Sequence, residues 1–453
     1  GTYRIYGGYL DVTHRSGGYE WLDKYAKFYR MEISDLTITV LKGDIETVED
    51  LIDAIGANVT LNSEAAITAA KSAYDALSDE DKALVDADKV AALTAAIIRL
   101  NQLKHADLMA NLNTIYKTTG DFMATLGTPT VNSIGGEWMV IGLARSGRPV
   151  PAGYYDNVVE YVKAKADANE RLHPAKVTDN ARVILALTAI GKDVTNVGGH
   201  NLLKGLDNMD YVQTQDINGP IFTLIALDSH NYPTMGDVTR EKLIQVILDA
   251  QLPDGGWNLS GENADPDMTA MAIQALAPYY KTNETVKAAV DKALEALSAL
   301  QRTDGGFGSW GTVNSESCAQ VIVALTALDI DPTADSRFVK NGHTVLDALA
   351  GFYVTGGGFR HTAGGERNDM ATEQGYYALA AYYRFVNGQT RLYDMSDVAI
   401  QTGGTSGGDN SGNGTNNGGT PATGDTGVLV WAIALPVTIL AAAFVLKRKE
   451  REA

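Results

Sequence analysis

Gln251-Leu252-Pro253-Asp254-Gly255-Gly256-Trp257, Gln301-Arg302-Thr303-Asp304-Gly305-Gly306-Phe307-Gly308 and Gly356-Gly357-Gly358-Phe359 are three versions of one turn. Glycine supplies the left-handed residues that end a helix, and the aromatic that follows can cover the turn. Ala/Leu-rich apolar segments follow these turns, and six such segments occur along the chain. They are SIGGEWMVIGLARSG from Ser133, DNARVILALTAIG from Asp179, NGPIFTLIALDSH from Asn218, DMTAMAIQALAPYY from Asp267, ESCAQVIVALTALD from Glu316 and TEQGYYALAAYYRF from Thr372. They lie about 40 to 55 residues apart, the length of a helical hairpin with its connections.

Amphipathic segments run between them: DLMANLNTIYKTTGDFMATL, YYDNVVEYVKAKADANERL, HNLLKGLDN, TREKLIQVILDAQ, ETVKAAVDKALEALSALQ and DSRFVKNGHTVLDALAGFYV. The first set is apolar nearly all round, as a helix buried on every side must be; the second carries alternating apolar and charged stripes, as a surface helix does. Two concentric rings satisfy both patterns. The expected fold is therefore an all-α (α/α)6 toroid of six helical hairpins, twelve helices in all, with parallel inner helices around a central cavity. An open solenoid is the alternative, and it would call for polar capping repeats.

At these turns the sequence resembles the prenyltransferase and squalene-cyclase repeat superfamily, the terpenoid cyclase-like toroids, over residues 105–397. That superfamily includes the β subunits of protein prenyltransferases, and related toroids occur in complement thioester domains and cobalamin carriers. The resemblance implies the toroid. It does not imply one chemistry, since the same fold hosts several.

The chain has 453 residues and a formal charge of −18. A phosphate-backbone partner calls for a basic face, so nucleic acid is not an expected ligand. The single cysteine, Cys318, excludes an intrachain disulfide and a Cys-rich zinc site. Residues 427–446 (GVLVWAIALPVTILAAAFVL) form an uncharged stretch long enough to cross a bilayer core, and Lys447, Arg448, Lys449 and Arg451 follow at once. The positive-inside rule places the short tail in the cytoplasm and the rest outside. Just upstream stands Thr420-Pro421-Ala422-Thr423-Gly424, and the whole order resembles the sorting signal of Gram-positive cell-wall proteins. The resemblance implies that a sortase cuts between Thr423 and Gly424 and joins Thr423 to peptidoglycan. Thr420 replaces the usual Leu before Pro421, which implies a variant sortase.

The remaining organisation is read from composition. Residues 1–42 form a partial β-rich segment, and the start without Met or a signal peptide suggests a processed or truncated piece. Residues 43–104 resemble the three-helix spacer of bacterial surface proteins, with Ser63 and Ser78 where N-caps belong. Residues 398–420 form a Gly/Ser/Asn-rich linker, a flexible stalk, and 421–453 the sorting signal with its span.

The enzymatic branches can be checked by residue. Class II terpene cyclases protonate an alkene with the middle Asp of Asp-x-Asp-Asp-Thr-Ala. Here Asp265-Pro266-Asp267-Met268-Thr269-Ala270 keeps Asp265 and Asp267 but replaces the third Asp by Met268. Asp at that place also caps the helix that opens there. Protein prenyltransferases hold zinc with Asp-x-Cys and a distant His. Glu316-Ser317-Cys318 echoes the pair, but Thr372 stands where the His is expected, with His361 in the preceding loop. No His has ligand spacing to another, so no metal and no cofactor are expected. Lantibiotic-type cyclases need two Cys and complement-type thioesters a Gly-Cys-Gly-Glu-Gln run, and neither is present.

Each inner segment carries an acid near its start: Glu137, Asp179, Asp216, Asp265 with Asp267, Glu316 and Glu373. Parallel inner helices would gather these at one mouth of the cavity, with Trp138, Trp257, Trp310, Tyr376 and Tyr377. Helix N-termini attract acids for structural reasons alone. Paired carboxylates with aromatic platforms are also how (α/α)6 glycosidases and lyases handle sugars. The candidate catalytic residues are Asp267, Glu373 and Asp265, and the candidate ligand-binding residues Glu137, Trp138, Asp179, Glu316, Tyr376 and Tyr377. Three readings follow: a wall-anchored surface protein whose toroid binds a small molecule or glycan in its cavity, an extracellular carbohydrate hydrolase or lyase, and a non-catalytic adhesive module.

Overall fold

The computed structural model describes residues 43–401. The β-rich segment expected over 1–42, most of the linker over 398–420 and the sorting signal and span over 421–453 lie outside the described residues. Among the described residues no helix is long and apolar enough to cross a membrane.

Helices α1 (Asp44–Ile55), α2 (Glu64–Ala76) and the single turn α3 (Asp79–Lys82) pack on the first part of a long helix, α4 (Ala87–Met123). Val48, Ile52, Ala70, Leu77, Val85 and Leu93 form their own small core. Ser78 caps α3 by accepting from the Asp81 amide. Ser63 makes no such bond to α2, and instead closes a tight turn by accepting from the Thr60 amide. Helix α4 runs unbroken across residue 104 and continues as the first outer helix of the ring.

Six helices form the inner layer: α5 (Glu137–Arg145), α7 (Val177–Ala189), α9 (Asn218–Asp228), α11 (Pro266–Leu276), α13 (Ser315–Ala327) and α15 (Asp369–Val386). Each packs on the next in chain order, and α15 packs back on α5. That last contact closes the ring; an open solenoid lacks it. The burial matches the sequence pattern, since Gly219 to Leu227 of α9 and Ser315 to Thr326 of α13 are buried without interruption.

The outer layer holds α4, α6 (Gly153–Lys165), α10 (Arg240–Asp249), α12 (Glu284–Leu300) and α14 (Val345–Gly351). Helix α12 buries Val286, Ala289, Val290, Ala293, Leu294 and Leu297, one face of a 3.6-residue period. Twelve full helices are not formed. HNLLKGLDN gives only a 3-10 turn (Leu202–Leu206), and one α turn, α8 (Met209–Val212), follows it. Asn201 and Asn208 each bond a nearby amide and restart the chain, the local competition that makes Asn a poor helix interior. In DSRFVKNGHTVLDALAGFYV, Asn341 and Gly342 both have positive φ (50° and 80°), and the Thr344–Asp347 capping box opens α14 only after that turn.

The repeated turns are the joints of this ring. In all three the fourth residue of the turn donates back to the first to close it: Gly255 N–H to Leu252 O, Gly305 N–H to Arg302 O and Gly357 N–H to Val354 O, with φ of 94°, 83° and 107°. A Cβ at Gly305 would lie 2.2 Å from Thr344 O. The Gln251 and Gln301 amides lock their turns to the next outer element, on Ala289 O and Phe338 O. Trp257, Phe307 and Phe359 then enter the core fully buried. Residues 388–401 strap the carboxy-terminal ends of the inner helices. Buried Arg145 donates to Leu392 O, Arg391 O and Asp394 O, and Arg145 and Arg384 both bind Asp397. The strap continues past 397 to Gln401, whose amide donates to Gly191 O.

Candidate functional site at the amino-terminal mouth

Because inner and outer elements alternate along the chain, the inner helices run the same way and their N-termini share one face. Three successive inner helices open with the same device. Asp265, Asn314 and Asn368 are the N-caps of α11, α13 and α15, each accepting backbone amides of the first turn. Asp265 stands where its two counterparts are Asn. Its first oxygen holds the amides of Asp267 and Met268, and its second accepts from Ser309 Oγ, so it is a structural cap rather than a free acid.

Four residues beyond each cap stand Thr269, Cys318 and Thr372. The Thr269 hydroxyl receives the Trp257 amide at 2.9 Å, and Thr372 receives the Phe359 amide at 3.0 Å. Cys318 occupies the same place against the Phe307 backbone, fully buried, and burial pushes its thiol up to about 12. It is the sulfur version of a structural hydroxyl. Among the described residues no cluster of His, Cys, Asp and Glu could hold a metal ion.

Two residues beyond the caps, Asp267 and Glu316 face each other's neighbourhood. Glu316 accepts from Ser315 Oγ and pairs with His361 Nδ1 at 2.8 Å. Asp267 is half-buried, its Oδ1 has no hydrogen-bond partner, and burial pushes its carboxyl up to about 6 against the pull of the neighbouring Ser317 hydroxyl. Asp265, Asp267, Glu316 and His361 thus form one cluster.

The other acids lie elsewhere. Glu137 is completely buried between the rings, held by Arg182, which also pairs with Asp179; burial pushes its carboxyl up to about 7. Glu373 lies in the seam where α15 meets the loop before α5. It accepts from the Gly135 amide at 2.7 Å, its Oε2 has no partner, and burial pushes it up to about 8. Asp216 is exposed before α9, with φ of 48°.

The aromatics separate in the same way. Trp257, Tyr376 and Tyr377 are core residues. Trp138 is 5.7 Å from Phe222 and 5.9 Å from Tyr377 between ring centroids. Helices α5 and α9 are not neighbours in the ring, so the first contact crosses its interior. Below it Gln274 donates to Gln320, which donates to Gln374 and to the Tyr377 hydroxyl. The expected ligand-binding cavity is therefore occupied by the chain's own side chains. A void of about 30 Å³ persists lower down, between Gln274, Asp228 and the strap residue Tyr393, room for about one water. At the opposite end an open groove of about 700 Å³ runs between Val150, Tyr155, Lys192 and Val398. Its cations are already engaged, Arg148 by Asp121 and Lys192 by Gln401 and the Tyr155 ring.

What the sequence reading passed over are two hairpins on the mouth, β1–β2 (Gly308–Ser309 with Thr312–Val313) and β3–β4 (Phe359–Arg360 with Arg367–Asn368). The first puts Trp310 at its tip, 80% exposed; the second carries His361. The Trp310-Gly311 pair between β-prone residues was the available signal.

Residues 200–368 match the prenyltransferase alpha-alpha toroid domain. The match covers α9, α11 and α13 with their outer partners and ends at the cap of α15. Among solved structures, the chain is similar to ent-copalyl diphosphate synthase from Streptomyces platensis, 17% identical over 76% of this chain and 86% of that one, with a TM-score of 0.37. It is also similar to a possible member of the GH105 family from Salmonella enterica, 12% identical over 63% of this chain and 82% of that one, with a TM-score of 0.28. No curated protein matches the chain.

Proposed function

We propose that this protein is a wall-anchored recognition module, a rigid toroidal head that binds extracellular material through its surface and performs no chemistry inside its ring. The observation that carries the reading is the Trp138–Phe222 contact across the interior, with Tyr377, Gln320 and Gln274 beneath it. A cyclase or prenyltransferase needs an apolar chamber at that place, and here aromatic and amide side chains meet across it. The Thr420–Gly424 run, the uncharged stretch 427–446 and the basic tail support anchoring through sortase to peptidoglycan, with the membrane engaged before sorting. The test is fractionation of the producing cells. Release of the protein by cell-wall digestion, abolished by Thr423→Ala, agrees with the reading; release by detergent alone contradicts it.

A second reading has one observation in its favour. Asp267 is half-buried among Asp265, Glu316 and His361, and burial pushes its carboxyl up to about 6, as suits a general acid. Turnover of an oligosaccharide that Asp267→Asn abolishes would establish a hydrolase or lyase in place of a binding module.

A further inference from the structure

We propose that the two hairpins at the amino-terminal mouth form a glycan-binding site, with Trp310 as its stacking platform and the Glu316–His361 pair as its polar side. The inference rests on the recognition reading and names its ligand class. Trp310 is the bulkiest residue a hairpin tip can carry, and it sits at φ 53° with Gly311 at 78°, a two-residue turn that favours Asn or Gly at its first position. It gains no burial there, being 80% exposed. Neither its backbone nor its packing accounts for a tryptophan.

The platform is fixed in place. Ser309, next in the chain, is buried and bonds Asp265, and Asn314 at the other end of the hairpin caps α13. A rigid, amphipathic aromatic presented at little entropy cost is the usual anchor of a binding surface. The Ser315 amide, just past the first hairpin, donates to His361 O of the second, and the His361 ring meets solvent. Asp267 Oδ1 and the Ser317 hydroxyl lie closed off from solvent beneath the hairpins. Glu316 and the half-exposed His361 line the neighbouring hairpin. An apolar face with acceptors beside it suits a sugar ring, whose C–H face stacks on the indole while its hydroxyls donate to carboxylates. The acids exclude an anionic glycan, because Asp265, Asp267 and Glu316 already share the site.

The test uses the full chain on mucin-type glycoprotein films, untreated and periodate-oxidised, and a panel of neutral hexaoses followed by tryptophan fluorescence. The expected result is binding that periodate abolishes, at least one hexaose that binds, a tenfold or greater loss of affinity in Trp310→Ala, and recovery to within about threefold in Trp310→Tyr. Circular dichroism of Trp310→Ala should match the parent, since the residue is 80% exposed. Binding that survives periodate, or that Trp310→Ala leaves unchanged, overturns the glycan site and leaves the recognition reading standing. Binding to neither film, with no hexaose bound, overturns both.

Discussion

Replacing Glu373 by Gln should make the protein more stable in alkali and leave it unchanged in mild acid. Glu373 is 2% exposed, accepts one amide from Gly135 and leaves Oε2 without a partner, in a seam it shares with Asp369 and Glu137. Burial, with the two neighbouring acids adding to it, pushes its carboxyl from 4.5 up to about 8. The folded state therefore holds a proton that the unfolded chain gives up. Stability falls as pH rises from the unfolded value towards the folded one, by about 1.4 kcal/mol per pH unit for one group. Between pH 5 and pH 8 that amounts to roughly 4 kcal/mol. Glutamine has the same shape, keeps the acceptor for Gly135 and stays neutral throughout; its amide replaces an acid hydroxyl that is also unpartnered. Urea unfolding at pH 5, 7 and 8.5, followed through the buried Trp138 and Trp257, should give similar midpoints for parent and variant at pH 5 and a clear advantage for Glu373→Gln at pH 8.5. Glu137 titrates in the same range in both proteins, so the difference reads position 373 together with its coupling to Glu137. Parallel pH profiles, or a variant weaker at pH 8.5, would show that the seam is hydrated and the reasoning wrong.

Three further outcomes follow from the repeated joint. Cys318→Thr should change stability by less than about 1.5 kcal/mol, the range for well-tolerated core swaps, because Thr fills this place in the two flanking repeats; the parent thiol should resist a disulfide reagent until the protein is unfolded. Asp265→Asn should be close to neutral by thermal unfolding, since Asn caps α13 and α15, whereas Asp265→Ala should cost about 1 kcal/mol. Gly305→Ala combines φ of 83° with a Cβ 2.2 Å from Thr344 O, and should cost more than about 1 kcal/mol, read as a lowered unfolding midpoint.

Which helices are inner and which outer was legible because burial on every side leaves a mark that burial on one side does not. Helices α9 and α13 carry it most clearly. The joints were legible too, since a positive φ calls for glycine wherever it occurs. The role of Cys318 was hidden by loop length: Thr269, Cys318 and Thr372 follow their turn aromatics by twelve, eleven and thirteen residues, and align only when counted from the N-caps. The positions of the acids were hidden by rotation. Each step along a helix turns a side chain by about 100°. Having an acid near the start of every inner helix therefore settles which end it occupies but not which way it faces. Glu137 turns to Arg182, Glu373 into the seam, Asp216 lies exposed, and Asp267 stays half-buried.

The filled interior could not have been read at all, because whether a ring has a lumen depends on its radius as well as on what lines it. Six inner helices bring α5 within reach of α9 only if they pack closely, and the many small buried residues on them permit that. Ala270, Ala272, Ala275, Ala319, Ala324, Ala378, Ala380 and Ala381 are all buried on the inner helices, where small side chains let backbones approach. The alanines draw the ring in, and Trp138, Phe222 and Tyr377 fill what is left. Catalysis in such a ring would need those three residues to be small and the alanines large. With the sizes reversed, chemistry-bearing side chains meet solvent at the mouth, and there stands the most exposed tryptophan among the described residues, Trp310, on a hairpin next to the one that carries half-exposed His361.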